Sequence, residues 1–166
     1  MKKFLPALLL VPGVLLAADK SPDMSFYEKA AHGGIAEVEM GQLAQEKARS
    51  SDVKAFGAMM VKDHSAANAK LKTLAMTKGI ELPTKPSVAQ MATKTKLQVL
   101  SGDAFDKSYV KSMVKDHEED IAEFEKEARD GKDAEAKALA AATLPTLRQH
   151  LTHIREIAAK TGVEAN

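Results

Sequence analysis

The sequence contains no cysteine and no tryptophan, and it has few aromatic residues of any kind. Without cysteine there is no disulfide framework, no thiolate nucleophile and no cysteine-ligated zinc or iron–sulfur site. Aromatic residues make up 4% of the chain and β-branched residues are also sparse, so the composition excludes an all-β fold. An excess of one charge is missing as well. The 24 basic residues are balanced by 23 acidic ones, which leaves no basic field to attract nucleic acid.

The residues that are abundant favour helices. Ala, Lys, Glu, Leu and Met dominate, and the unbranched side chains among them lose little rotamer freedom on a helix. Hydrophobic residues account for 45% and charged residues for 28% of the chain, values typical of a folded globular protein rather than a disordered one. The length of 166 residues corresponds to one domain, since domains usually contain roughly 100–200 residues.

The first 18 residues have the organisation of a secretory signal peptide. Lys2 and Lys3 form a positive start, Phe4 to Leu16 is apolar, and Ala17-Ala18 supplies the small residues expected before a cleavage site. The apolar stretch is shorter than the about 20 residues of a membrane-spanning helix. We therefore predict a periplasmic protein whose mature domain, residues 19–166, contains no transmembrane segment. Peripheral association with the envelope stays open, and a retained amphipathic anchor is the alternative.

Amphipathic patterns in the mature chain predict four long helices and one short helix. The predicted spans are Ser25–Arg49, a second helix that follows Ser50-Ser51-Asp52 and ends at Lys78, then Val88–Leu100, Ala104–Arg129 and Ala134–Thr161. Short first and last turns with a long middle connection indicate an all-α four-helix bundle whose crossover carries the short helix. Charged runs such as Glu123-Phe124-Glu125-Lys126-Glu127 are predicted to form chiefly solvated helix faces.

A five-residue sequence occurs twice in similar helical contexts. Met60-Val61-Lys62-Asp63-His64 is repeated as Met113-Val114-Lys115-Asp116-His117, and each copy is followed about four turns later by a helix-ending glycine, Gly79 or Gly131. The repeat predicts two related helices that present the same face to a common interior. The alternative is a chance match between two amphipathic helices.

Each long helix is predicted to carry one ionisable residue that faces the core. Projection at about 100° per residue places four such side chains in the apolar stripes of their helices: Glu37, His64, His117 and His150. Counting from the connecting turns, at about 1.5 Å per residue, puts the first three at nearly one level and the fourth about 5 Å away. The sequence therefore predicts that three imidazoles and one carboxylate converge inside the bundle.

Two interpretations fit this predicted cluster. Imidazole and carboxylate groups are ligands for transition metals, so one zinc, copper, iron, nickel or manganese ion would satisfy all four groups. Asp120 and His153 lie one turn away on the inward side, as candidates for extra or outer ligands. In the alternative, Glu37 accepts hydrogen bonds from protonated histidines in a metal-free network that fixes the packing.

These interpretations correspond to two classes of function. The first is a periplasmic metal-binding protein that buffers or senses a transition metal or acts in envelope stress. The second is a non-enzymatic structural or protein-interaction module of the cell envelope. No nucleophile–base set and no phosphate-binding loop is recognisable in the sequence, so an enzyme is the less favoured interpretation. The metal and any protein partner are not identified by the sequence.

Four motifs, which follow one another along the chain, carry a family resemblance. They are Ala30-Ala31-His32-Gly33-Gly34-Ile35-Ala36-Glu37-Val38, Met59-Met60-Val61-Lys62-Asp63-His64, Ser101-Gly102-Asp103-Ala104-Phe105-Asp106 and Leu144-Pro145-Thr146-Leu147-Arg148-Gln149-His150. Together they resemble the bacterial domain-of-unknown-function family 4142, over about Phe26 to Ile157. The resemblance implies a secreted, ferritin-like four-helix bundle with no established activity, and members of the family are often labelled outer membrane proteins.

The chain departs from the di-iron pattern that ferritin-like folds often carry. That pattern uses Glu-x-x-His pairs, whereas the residues three positions before the predicted histidine ligands are Val61, Val114 and Leu147. Too few inward carboxylates remain to bridge two irons. A site for a single metal ion, or no metal site, fits the sequence better.

Overall fold

Residues 22–163, which the computed structural model describes, form four long helices and one short helix. In chain order they are α1 (Pro22–Lys47), α2 (Ser51–Thr77), α3 (Val88–Gln98), α4 (Gly102–Asp130) and α5 (Ala134–Thr161). The predicted all-α fold, a four-helix bundle whose long crossover carries a short extra helix, is confirmed. The predicted signal peptide, residues 1–18, lies outside the described residues.

Most helix ends differ from the predicted ones by one to three residues. The first helix begins at Pro22 rather than Ser25 because proline is well suited to a first helical turn, where its missing N–H would have no partner. The start of α3 is as predicted, since Ser87 and Gln90 form a reciprocal capping box. Both ends of α5 are also as predicted, and the helix continues through Pro145.

The four long helices form a square in which neighbours are antiparallel. One edge pairs α1 with α2, the opposite edge pairs α4 with α5, and α1–α4 and α2–α5 complete the square along weaker seams. As a result α2 and α4, which carry the two motif copies, lie on a diagonal and run in the same direction. The crossover, residues 78–101, returns the chain along the bundle, and α3 packs mainly on α1.

The first two helices approach closely because a glycine on one faces a glycine on the other. A Cβ added to Gly41 would lie 2.7 Å from the carbonyl oxygen of Gly57, and a Cβ on Gly57 would lie 2.7 Å from that of Gly41. Any side chain here would push the helix backbones apart. The close packing brings Glu37, one turn before Gly41, against His64 on α2.

A buried carboxylate ties the α1–α2 turn to α4. Asp106 is 4% exposed and accepts hydrogen bonds from the backbone N–H groups of Arg49 (3.0 Å) and Ser50 (2.8 Å). Hydrogen bonds from backbone N–H groups to a carboxylate are stronger than neutral ones. This anchor sets the height of α4 against α1 and α2, and with it the level of His117, three turns further along.

The core consists of two apolar clusters with polar side chains between them. The cluster near the α1–α2 turn includes Met40, Phe56, Met60, Met113 and Ile154. The cluster at the opposite end includes Phe26, Tyr27, Leu71, Ala136 and Ala140. His64, His117 and His150 fall between the segments of their helices that pack in these two clusters, and Glu37 lies next to Ala36 at the edge of the first cluster. The polar layer is therefore shielded from solvent above and below by hydrophobic packing.

Candidate metal centre

The structure brings the four predicted core residues together in the middle of the bundle. Each comes from a different long helix, and all are almost fully buried: Glu37 is 1%, His64 5%, His117 0% and His150 2% exposed. Charged and polar groups are rarely this buried unless they have partners. Each polar atom of the cluster therefore needs a hydrogen-bond partner or a metal ion.

The three histidines form a group compact enough to hold one metal ion. One ring nitrogen from each of them lies within 4.8 Å of the other two. Between His117 Nε2 and His150 Nδ1 the distance is 3.4 Å. With metal–nitrogen bonds of about 2.0–2.1 Å, two tetrahedral ligand nitrogens are separated by roughly 3.4 Å. The spacing of this pair therefore already suits a shared ion.

Hydrogen bonds on their outer sides fix how two of these imidazoles are oriented. His117 Nδ1 lies 2.9 Å from the carbonyl oxygen of Met113, and His150 Nε2 lies 3.0 Å from Asp63 Oδ2. A carbonyl or carboxylate oxygen only accepts, so the nitrogen facing it carries the proton in the neutral ring. The lone pairs that remain, on His117 Nε2 and His150 Nδ1, face each other across the centre.

The third imidazole is paired with the carboxylate. His64 Nδ1 lies 2.7 Å from Glu37 Oε2, while Glu37 Oε1 lies 3.5 Å from His117 Nε2. The remaining nitrogen of His64, Nε2, is buried and has no hydrogen-bond partner among residues 22–163. An unpaired buried nitrogen costs free energy, and a metal ion is one partner that would satisfy it.

The charges in the cluster are unequally distributed. Burial alone would raise the pKa of Glu37, but the neighbouring histidines, His64 above all, outweigh burial and lower the pKa. Burial opposes protonation of His64, yet the Glu37 carboxylate raises its pKa. Burial lowers the pKa of His117, and that of His150 to about 4. Without metal, the cluster therefore favours one ion pair, Glu37 with His64, and two neutral imidazoles.

Asp120, predicted as an extra or outer ligand, lies at the edge of this cluster. Together with Glu37, His64 and Asn68 it lines a cavity of about 30 Å³, a volume sufficient for one water molecule. A Cβ on Gly33 would lie 3.3 Å from Asp120 Oδ1, so the glycine leaves room for the carboxyl. Burial and the Glu37 charge raise the pKa of Asp120 well above its ordinary value, which favours a protonated, neutral group.

The other predicted outer candidate, His153, packs elsewhere. Its ring centroid lies 5.7 Å from that of Phe56, and it is not one of the three histidines whose nitrogens form the compact group. Asp63, which was not among the predicted candidate ligands, accepts a hydrogen bond from His150 across the seam between the neighbouring helices α2 and α5. The available signal was its position directly before His64 in the repeated motif.

Comparison with known proteins identifies a family and a fold. The model of the family DUF4142, a domain of unknown function, matches residues 15–157. A DUF305 protein from Streptomyces coelicolor, predicted to be secreted, is similar in structure, with a TM-score of 0.73, 14% identity, and coverage of 87% of this chain and 96% of its own. A DUF305 fragment from Deinococcus radiodurans gives a TM-score of 0.73, 11% identity and coverage of 85% and 97%. No curated protein matches the chain significantly.

The same fold occurs in a protein that has been solved with metals. CopM in its Cu(I)-bound form is similar with a TM-score of 0.69, 13% identity, and coverage of 83% of this chain and 96% of its own. CopM has also been solved in Ag-bound and Cu(II)-bound forms. At these identities the likeness shows the fold alone. Within residues 22–163, the helices are too polar for any of them to cross a lipid bilayer.

Proposed function

The chain belongs to the DUF4142 family, and we propose that it binds a single transition-metal ion through His64, His117 and His150. The observation that carries this proposal is the convergence of three buried ring nitrogens within 4.8 Å of one another. Burying three imidazoles and a carboxylate costs free energy that apolar packing would avoid. Coordination of an ion offsets that cost, and Glu37 supplies a negative charge next to it.

The donor set favours copper, zinc, nickel or iron over manganese. Imidazole nitrogens suit these four ions, whereas manganese prefers oxygen ligands. Copper is the first ion to test, because the similarly folded CopM is known in copper-bound and silver-bound forms. We propose Glu37 as the fourth ligand or as the group that holds His64 in place.

We further propose that the protein acts in the periplasm, as a buffer or sensor of the metal rather than as an enzyme. The support for export is the N-terminal sequence pattern and the predicted secretion of a similarly folded DUF305 protein. The support for storage over catalysis is the burial of the site, since the adjoining cavity of about 30 Å³ is too small for a substrate.

Elemental analysis of untagged protein, purified from the periplasm, tests the proposal. We expect about one equivalent of one metal in the wild type and none in the His64→Ala, His117→Ala double variant. Because both histidines would serve one ion, the two single variants should weaken metal affinity non-additively. His32→Ala is the matched control, since His32 lies outside the cluster and hydrogen-bonds to the carbonyl of Lys85.

The alternative function is a structural or protein-interaction module with a metal-free core network. The contacts that favour it are the Glu37–His64 pair and the Asp63–His150 hydrogen bond, which form without any ion. This alternative stands if the purified protein contains no metal and its melting temperature is unchanged by zinc, copper, iron, nickel and manganese. Additive losses of metal affinity in the single variants would also count against one shared site.

A further inference from the structure

We infer that Asp63 is the positioning residue of this centre, because it holds the His150 ring with its Nδ1 turned toward the other two histidines. The effect of Asp63 on metal binding rests on the proposed function, whereas its effect on the His150 ring is expected in the metal-free protein as well. Asp63 would not touch the ion. It would act through the imidazole, as carboxylate partners of metal-bound histidines generally do.

The geometry leaves His150 one clear orientation. Its Nε2 lies 3.0 Å from Asp63 Oδ2, and its Nδ1 lies 3.4 Å from His117 Nε2. An ionised carboxylate only accepts hydrogen bonds, so the proton of the neutral ring stays on Nε2 and the lone pair on Nδ1. Without the carboxylate, Nε2–H would be a buried donor with no acceptor, and rotation of the ring or transfer of the proton to Nδ1 would relieve it.

Asp63 lies at the boundary between the core and the surface. Its side chain is 29% exposed, whereas that of His150 is 2% exposed. The bond also joins α2 to α5, which share one of the weaker seams of the bundle. The Asp63 carboxylate therefore links α2 to α5 and also orients a buried ring nitrogen of His150. An ion pair between two exposed side chains would not orient a buried ring.

The repeated motif supplies a matched comparison for this role. Asp116 occupies the same place before His117, but within residues 22–163 its carboxyl makes no hydrogen bond to a histidine, and its buried Oδ2 has no hydrogen-bond partner there. Burial, together with the charge of Glu37 on α1, raises the pKa of Asp116 to about 7. The same sequence thus provides one carboxylate that orients a ring and one that does not.

The first test follows the His150 ring in metal-free protein by ¹⁵N and ¹H NMR. In the wild type we expect a single neutral tautomer protonated on Nε2, with an Hε2 signal that exchanges slowly with water. In Asp63→Ala that signal should be lost and part of the population should become protonated on Nδ1. Asp63→Asn retains an acceptor oxygen and should preserve the tautomer, and Asp116→Asn should resemble the wild type. An unchanged His150 pattern in Asp63→Ala would overturn the inference.

The second test measures binding of Cu²⁺ alone, by competition with a chelator. Loss of an outer carboxylate partner typically weakens metal binding about 10–100-fold. We expect a weakening of that size in Asp63→Ala, a smaller one in Asp63→Asn, and little change in Asp116→Asn. Equal effects of the Asp63 and Asp116 variants would contradict a positioning role. A wild type that binds no metal would refute the proposed function, while the tautomer measurement would still decide the inference about Asp63.

Discussion

The two copies of the Met-Val-Lys-Asp-His motif lie on diagonal helices, and their histidines meet at the same level with different partners. His64 is 2.7 Å from the Glu37 carboxylate, which raises its pKa, whereas His117 bonds to the carbonyl of Met113 and burial lowers its pKa. Both rings are buried. The two histidines of identical motifs therefore differ in charge, because Glu37 on α1 lies closer to His64 on α2 than to His117 on α4.

The two helices also end differently, although a glycine follows shortly after the end of each. Gly79 has a φ of +66°, in the left-handed region that favours glycine. Gly131 has a φ of −54°, and it is required for space: a Cβ there would lie 2.7 Å from the backbone carbonyl oxygen of Glu127. Four residues before these glycines stand Ala75 and Glu127, both buried. Ala75 near the end of α2 thus corresponds to the buried carboxyl of Glu127 near the end of α4.

The largest effect is expected from removing the charge that distinguishes the two histidines. Glu37→Gln would leave His64 without an ionised partner in the core, and breaking a buried ion pair typically costs about 3–5 kcal/mol. We expect the free energy of unfolding of the metal-free protein to fall by about 3 kcal/mol at pH 6, where the pair is formed. In the same variant the pKa of His64 should fall toward that of His117. Chemical denaturation and NMR titration check the two effects.

A nearby glutamate provides the control for this change. Glu39, two residues further along α1, is partly exposed and pairs with Lys94 of the crossover helix at 2.8 Å. Exposed pairs contribute roughly 0–1 kcal/mol, so Glu39→Gln should be nearly neutral. If both variants lost the same stability, the Glu37–His64 pair would not be the source of the difference between the two motif copies.

The helices and the level of the polar layer could be predicted, because both follow from periodicity along the chain. Apolar stripes locate the helices, and counting from the turns at a fixed rise places Glu37 and His64 opposite each other. The partners of each polar atom could not be predicted in this way. They depend on which helices are neighbours, so the hydrogen bond that His150 donates to Asp63 appears only once α2 and α5 are placed side by side.

One residue of a run that was expected to be chiefly solvated is buried, for the same reason. The charged run at residues 123–127 was expected to form a chiefly solvated face, but Glu127 is 4% exposed. The backbone folds back at Gly131 and the side chain packs over that glycine. Composition marks such a run as a surface helix, whereas the burial of one member is decided by how the next turn leaves the helix.

A pH-dependent effect on stability is expected from Glu127, the residue of α4 that corresponds to Ala75 of α2. Burial, with the nearby charge of Asp23, raises the pKa of Glu127 from 4.5 to about 7. Between these values the unfolded chain loses its proton while the folded protein keeps it, so the free energy of unfolding falls as the pH rises. In Glu127→Gln the side chain does not ionise, so the free energy of unfolding does not fall with pH for this reason. A pKa shift of one unit corresponds to about 1.4 kcal/mol, which sets the upper limit of the effect. At pH 8 we expect the variant to be more stable than the wild type by about 2 kcal/mol.

Thermal or urea unfolding between pH 4 and pH 8 measures this difference. The advantage of Glu127→Gln should shrink toward zero near pH 4, where both states of the wild type are protonated. Glu125→Gln is the control, because Glu125 belongs to the same charged run but pairs with Arg148 at the surface. A stability difference that does not change with pH would show that folding does not raise the pKa of Glu127.

The smallest effect is expected at the lysines of the two motif copies. Lys115 lies 3.2 Å from Glu119, one turn on, with both side chains largely exposed, whereas the residue one turn after Lys62 is Ala66. An exposed pair of this spacing contributes about 0.2–0.5 kcal/mol and is screened by salt. Lys115→Ala should therefore destabilise slightly more than Lys62→Ala in low salt, and the two should become equal in 0.5 M NaCl. A larger, salt-independent difference would mean that the copies differ on their outer faces as well, and not only in the partners of their histidines.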